Sequence, residues 1–286
     1  MNIRLLPSSD FPALLQEIPQ PPKKLWATGA LPDPNLKLLA VVGSRDYTSY
    51  GQQVVTTLIG QLAGQPIGIV SGLALGIDAL AHEAALSNQL YTLAVPGSGL
   101  DERVLYPATN RRLARRIIEA GGGLLSELSP TTPAAKWTFP QRNRLMAGMC
   151  HATLLIEAAE KSGTLITARL ATDYNREVLA VPGSIFSKTT RGGHQFIKLG
   201  ATPVTCGEDI LDALQLDVTP TTGSLAPSVN LTPLETSVLA ALHEPVERDA
   251  LIRSLDRPLP EITATLMQME IHGYITLSDG YYQALV

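Results

Sequence analysis

Cysteine is scarce in this chain: only Cys150 and Cys206 occur, far apart in the sequence. Two distant cysteines supply neither a metal-ligand set nor a disulfide framework, so a reducing, cytoplasmic setting is expected. No stretch approaches the roughly 20 uninterrupted apolar residues of a membrane span. The start, Met1-Asn2-Ile3-Arg4-Leu5-Leu6-Pro7, is too short in apolar residues for a secretory signal. No membrane partner is expected. The usual nucleotide and hydrolase signatures are missing as well. A dinucleotide enzyme carries Gly-x-Gly-x-x-Gly after its first strand and an acid about 20 residues on. Here the first turn reads Gly43-Ser44-Arg45-Asp46, and residues 59–63 hold no acid. There is no Walker A lysine, no Gly-x-Ser-x-Gly elbow and no evident Ser, His and Asp set. His82 and His194 stand apart from the cysteines and from each other. No metal site, no cofactor and no catalytic residue is expected.

What is present is an ordinary globular composition, 45% hydrophobic and 17% charged, rather than a disordered one. The 286 residues suffice for one large and one small domain, each with a core. The net charge of −4 is unevenly placed. Residues 229–286 carry 8 acids against 3 bases, so the rest is close to neutral. Between Glu127 and Glu157 there is no acid, while Lys136, Arg142 and Arg144 lie there. Phosphate binding requires such a local positive patch, which whole-chain charge conceals.

Residues 1–35 are proline-rich and lack helical periodicity, an extended lead-in with one short strand near Leu25-Trp26-Ala27. From Leu38 short apolar runs alternate with helical patterns. The strands fall at 38–42, 67–70, 92–95, 123–126, 153–156 and 178–181. The helices fall at 51–62, 77–87, 109–120, 142–149 and 164–174. Such alternation specifies an α/β domain over 36–216, an extended Rossmann-like parallel sheet covered on both faces. Residues 217–230 read as a linker. Over 231–286, Thr232-Pro233 opens a helix. Two more helices follow, near 249–255 and 260–273. A hairpin with an Asp279-Gly280 turn completes a small winged helix.

In parallel sheets, ligands bind outside the carboxyl ends of the strands, and the glycines gather there. Gly43-Ser44-Arg45 suits a phosphate, through close backbone approach and a guanidinium fork, or is simply a tight turn. Ser71-Gly72-Leu73-Ala74-Leu75-Gly76-Ile77-Asp78 strips side chains from a surface that something must approach. Asp78 is read as favouring the helix dipole. Pro96-Gly97-Ser98-Gly99 closes a third turn. The most informative stretch is Lys136-Trp137-Thr138-Phe139-Pro140-Gln141-Arg142-Asn143-Arg144. Bases stack on a ring while cations meet phosphates, the chemistry of single-strand binding. Trp137 is assigned to the core, and Asn143 either clamps the site or bonds at the helix start. Arg103, Arg111, Arg112, Arg115 and Arg116 form a second basic cluster, either a contact surface or a solvated face.

These residues resemble the DprA/Smf (DNA-processing protein A) family. The likeness runs in order through Val42-Gly43-Ser44-Arg45, the Ser71–Asp78 loop, Ala81-His82, Tyr106-Pro107 and Ser126-Glu127. It continues through Phe139-Pro140-x-Arg142-Asn143-Arg144, Glu157-Ala158, Ser162-Gly163-Thr164-Leu165-x-Thr167-Ala168 and Val181-Pro182-Gly183. The resemblance implies a non-enzymatic protein that holds and protects incoming single-stranded DNA and loads RecA recombinase during natural transformation. It implies Arg45, Lys136 and Phe139 as the pocket's arginine, lysine and stacking ring. Ser71, Gly72, Ala74, Gly76, Gly163 and Thr164 would form its walls. Gly43, Ser44, Gly97, Arg142, Asn143 and Arg144 complete the expected contact set. It further implies a homodimer, its face placed at His194, Phe196, Ile197 and Leu199. Two departures from the family pattern are expected: no room before Leu38 for an N-terminal helical domain, and a winged helix too acidic to grip phosphates. The competing class is a nucleoside-monophosphate phosphoribohydrolase of the lysine-decarboxylase-like group. That group's Pro-Gly-Gly-x-Gly-Thr-x-x-Glu is broken here, with Thr167 at the glutamate's place.

Overall fold

The computed structural model describes residues 2–216, 231–242, 245–255, 257–278 and 280–284; the expected linker 217–230 and Asp279 of the hairpin turn lie outside them. The chain divides into two compact units, Met1–Thr219 and Pro220–Val286.

The first unit is built on β1 (Arg4–Leu5), β2 (Trp26–Gly29), β3 (Lys37–Val42), β4 (Ile67–Ser71), β5 (Tyr91–Ala94), β6 (Gly123–Ser126), β7 (Ala152–Leu155), β8 (Glu177–Ala180) and β9 (Thr202–Pro203). Their order across the sheet is β1-β2-β6-β5-β4-β3-β7-β8-β9. From β6 to β9 every pairing is parallel, whereas β1 and β2 run antiparallel at the edge. Along β3, Leu38, Ala40 and Val42 face one core while Leu39 and Val41 face the other. Apolar residues on both faces of one strand are what a doubly covered sheet requires. Helices α2 (Ser49–Gln61), α3 (Ile77–Ser87) and α8 (Gly207–Ala213) pack on the Leu39 side. Helices α5 (Thr138–Met149), α6 (Thr164–Asp173) and α7 (Arg191–Lys198) pack on the other. Helix α4 (Arg111–Glu119) covers β6 through Leu113 and Ile117.

The short strand expected near Leu25-Trp26-Ala27 is present as β2, but the rest of the first 35 residues is more structured than the extended lead-in expected. They contribute β1, the short helix α1 (Ala13–Gln16) and β2, with Leu6, Leu15, Ile18, Leu25 and Ala27 buried. Each piece is too short to show a period. Their structure comes from partners elsewhere: Arg176 Nη2 donates to Leu14 O at 2.9 Å, and Arg144 Nη1 to Gln20 O at 2.6 Å. Helix α5 also begins four residues before its expected start. Pro140 lies in its first turn, where a missing N–H costs no intrahelical bond.

The second unit holds α9 (Pro233–Ala241), β10 (Val246–Glu247), α10 (Arg248–Ser254), α11 (Leu259–Ile271), β11 (Ile275–Ser278) and β12 (Tyr281–Ala284), the strands ordered β10-β12-β11. Thr232 and Glu235 form a reciprocal capping box at the start of α9, and Pro233 follows the cap. Val238, Leu251, Ile262, Leu266, Met269, Ile275 and Tyr282 make its core. Three helices with a terminal hairpin form a winged helix.

Candidate nucleic-acid interface

Chain order reverses at β3: strands β4, β5 and β6 follow on one side, β7 and β8 on the other. The carboxyl ends of β3 and β7 therefore bound the switch-point crevice of the sheet. Three loops meet beside it. Gly43 lies so close to Ile77 that a Cβ would come within 2.6 Å of that side chain. Gly76 has φ near +80°, and a Cβ there would overlap the carbonyls of Ser44 and Arg45. Glycine is thus required at both points for the two loops to press together. Across the crevice, Thr164 Oγ1 donates to Gly43 O at 3.0 Å, at the start of α6. A Cβ on Gly163 would meet nothing within 4 Å, so this corner is open.

The 72–76 loop is held from beneath. The buried Asp78 carboxylate accepts from Gly72 N at 3.1 Å and Ala74 N at 3.4 Å. Asn110 Nδ2 donates to Leu73 O at 2.9 Å and Ala74 O at 3.1 Å. Burial pushes the Asp78 carboxyl above its ordinary range, opposed by the Arg142 charge and these N–H groups. Burial likewise pulls the Arg142 guanidinium down, with Asp78 opposing.

The exposed face of the site is aromatic and cationic. The Phe139 ring lies over Gly97, where a Cβ would come within 2.6 Å of the ring. Thr138 Oγ1 donates to Gly97 O at 2.6 Å and so joins the β5 turn to the start of α5. Arg45 Cζ stands 5.5 Å from the Phe139 centroid, a cation–π distance. Tyr106 meets the same ring edge-on, with centroids 5.8 Å apart and planes at 65°. Lys136 is exposed in the turn preceding α5, and no ion pair involves it among the described residues.

Several expected contacts are instead spent internally. Ser71 is buried and donates from Oγ to Val41 O at 2.7 Å, stitching β4 to β3. Arg142 is buried, donates to Val95 O, and lies against Gly72, where a Cβ would overlap it. Its Nε donates to Asn143 Oδ1 at 3.1 Å, which gives Asn143 a bracing role inside α5 rather than at its start. Arg144 is held by Glu127 and Gln20 O, so it is no free cation. Trp137, assigned to the core, is 60% exposed. In the second basic cluster, Arg103 pairs with Asp101, Arg115 with Glu102 and Arg116 with Glu83, the pattern of a solvated face. Phe196 is buried in the core on the α5–α7 side of the sheet and cannot lie on a dimer face, whereas Leu199 is 80% exposed. Tyr106, Thr138 and Asn110 were missed, because they join the site only through contacts far apart in the chain.

His82, under the same loop, is fully buried, and its Nδ1 lies 2.7 Å from Thr92 Oγ1. Burial lowers its pKa to about 3 from the ordinary 6.5. Its folded pKa lies below the unfolded one, so this contribution is present above pH 6.5 and lost as pH falls toward 3. The denaturant midpoint is expected to fall over that window with a slope of about one proton, and His82→Gln to flatten the slope. Parallel pH profiles for both proteins would refute this.

Residues 2–215 match the family model described as DNA recombination-mediator protein A, and residues 222–280 match that of the DprA winged helix domain. The chain belongs to the DprA family. Protein Smf of Escherichia coli (strain K12) is 35% identical over 293 residues, covering 99% of this chain and 78% of that protein. DNA processing protein DprA of Streptococcus pneumoniae is 42% identical over 201 residues, 70% of each. The X-ray structure of S. pneumoniae DprA aligns with a TM-score of 0.67 at 38% identity, covering 73% of this chain and 74% of that one. DNA processing protein A from Helicobacter pylori, described for its single-stranded DNA binding mode, aligns at 0.65 with 29% identity, covering 74% and 95%. The DprA-family chain thus carries both expected modules. No helix among the described residues is long and apolar enough to cross a membrane.

Proposed function

We propose that this DprA-family chain binds single-stranded DNA along the carboxyl edge of its sheet, in the cytoplasm and without turnover. The chain further protects incoming strands and loads RecA recombinase onto them during natural transformation. The observation that carries it is the half-buried Phe139 ring seated on Gly97 and flanked by exposed Arg45 and Tyr106, with Lys136 at its margin. A base stacks on Phe139, and its phosphates meet Arg45, Lys136 and the backbone of the Gly43 and Gly76 loops. Leu199, with His194 and Ile197 on α7, is the proposed homodimer face. The acidic winged helix engages protein rather than duplex DNA.

The test is fluorescence anisotropy of labelled oligo-dT against duplex of equal length over a salt series. Salt-sensitive preference for the single strand, lost in Arg45→Ala/Lys136→Ala, supports the reading. Equal binding to duplex, or an unaffected double variant, overturns it. Release of free base from a nucleoside monophosphate would overturn the non-catalytic part. RecA filament formation on the same strand, with and without the chain, tests loading separately.

A further inference from the structure

A second aromatic and cationic group stands on the same sheet edge, beyond the switch point. The turn Ser184–Ser187 after β8 presents Ile185 at 73% and Phe186 at 88% exposure. Two apolar side chains so open to water would be unremarkable on a loose loop, yet this turn is braced. Ser187 N donates to Ser184 O at 3.1 Å, Phe186 N to Ser184 Oγ at 3.2 Å, and Thr190 Oγ1 to Ser184 O at 2.7 Å. Thr189 Oγ1 anchors it to the buried Glu157 at 2.8 Å. Tyr50, at the start of α2, donates from Oη to Pro182 O at 2.6 Å, and its ring borders Gly183. Exposed Lys161, Lys188 and Arg191 lie on the adjoining loops and in no ion pair among the described residues. The neighbouring acid Glu160 accepts from Gln195 Nε2 at 3.1 Å.

We propose that Phe186, with Ile185 and the cations Lys161 and Lys188, forms a second base-stacking subsite for the strand that leaves the Phe139 site. The inference rests on the reading of Phe139 given above. Single-stranded DNA is the favoured occupant because the chemistry repeats that of the first site: a ring on a rigid seat among unpaired cations. Continuity supports it as well. Exposed Tyr50, five residues after Arg45, reaches Pro182 and Gly183 and so joins the loop of the first site to the segment that carries Phe186. From the end of β5 to that of β8 are four inter-strand steps of roughly 4.8 Å, or about 19 Å. A strand stacked at about 3.4 Å per nucleotide needs roughly six nucleotides to span that distance.

Length dependence tests it. With the full chain, anisotropy competition by dT4, dT8, dT12 and dT20 is measured for the wild type, Phe186→Ala, Phe186→Tyr and Phe139→Ala. Phe186→Ala is expected to leave dT4 unchanged and to weaken dT12 and dT20 on the order of tenfold. Phe186→Tyr should restore most of that loss. The side chain is almost fully exposed, so its truncation leaves the fold intact. Wild-type affinity at every length in Phe186→Ala, with Phe139→Ala still impaired, overturns the second subsite and spares the first. Wild-type binding by Phe139→Ala overturns the underlying reading itself. A shift of oligomeric state in Phe186→Ala by light scattering also overturns the proposal and makes the turn a contact between copies.

Discussion

Phe139→Ala is expected to weaken binding of a short oligo-dT by about 5- to 150-fold, the equivalent of roughly 1–3 kcal/mol for one stacked base. The neighbouring Tyr106 is no substitute for the ring. Tyr106 meets it edge-on rather than lying parallel, so it props the ring and does not replace its face. Gly97 beneath it carries no side chain, so truncation leaves a bare depression in place of a platform. Phe139→Tyr preserves the face and should stay within a few-fold of wild type. Arg45→Ala should act differently, because Arg45 contributes both charge and a cation–π contact to the ring. Loss of one phosphate contact lowers the slope of log affinity against log salt by about 0.7 for a single strand. Phe139→Ala should leave that slope unchanged. Equal slopes for Arg45→Ala and wild type would remove Arg45 from the phosphate path, and full affinity in Phe139→Ala would remove the ring.

Asp78→Ala should lower unfolding stability by roughly 2–4 kcal/mol, the largest effect expected from one side chain near the site. The carboxylate accepts from two backbone N–H groups, and its removal leaves both without that acceptor beneath the 72–76 loop. It also opposes the charge of the buried Arg142, whose other neighbour Arg45 is a like charge. Asp78→Asn retains an acceptor oxygen and loses only the charge, so it should fall between. Chemical denaturation gives the midpoint, and the oligo-dT assay reads the loop. Because the 72–76 loop presses on Ser44 and Arg45, binding should weaken even where the variant is fully folded. An unfolding free energy within about 0.5 kcal/mol of wild type would show that Asp78 serves the helix dipole alone.

The six central strands lay within reach of pattern reading because each is a short apolar run with both faces covered, and all but β7 meet a glycine or serine at or just past their end. The same held for the winged helix, whose Thr232-Pro233 start is a local chemical signal. β2 was legible as a short strand near Leu25-Trp26-Ala27, whereas β1, α1 and β9 were not. Each spans only two to four residues, and each is ordered by the strands and arginines it meets rather than by a period of its own. The site divides along the same line. Arg45, Phe139 and Gly97 could be picked out because a ring, a cation and a glycine turn are recognisable where they stand. Lys136-Trp137-Thr138-Phe139-Pro140-Gln141-Arg142-Asn143-Arg144 looked like one cationic patch, and folding sorted it by direction. A helix turns about 100° per residue, so neighbours in the sequence face different surroundings. Arg142 went inward to Val95 and Asn143, and Arg144 to Glu127 and Gln20, while Phe139 and Lys136 kept contact with solvent. Residue chemistry could be read locally. Which cation is free depends on partners 17 to 124 residues away, and those meet only when the sheet closes.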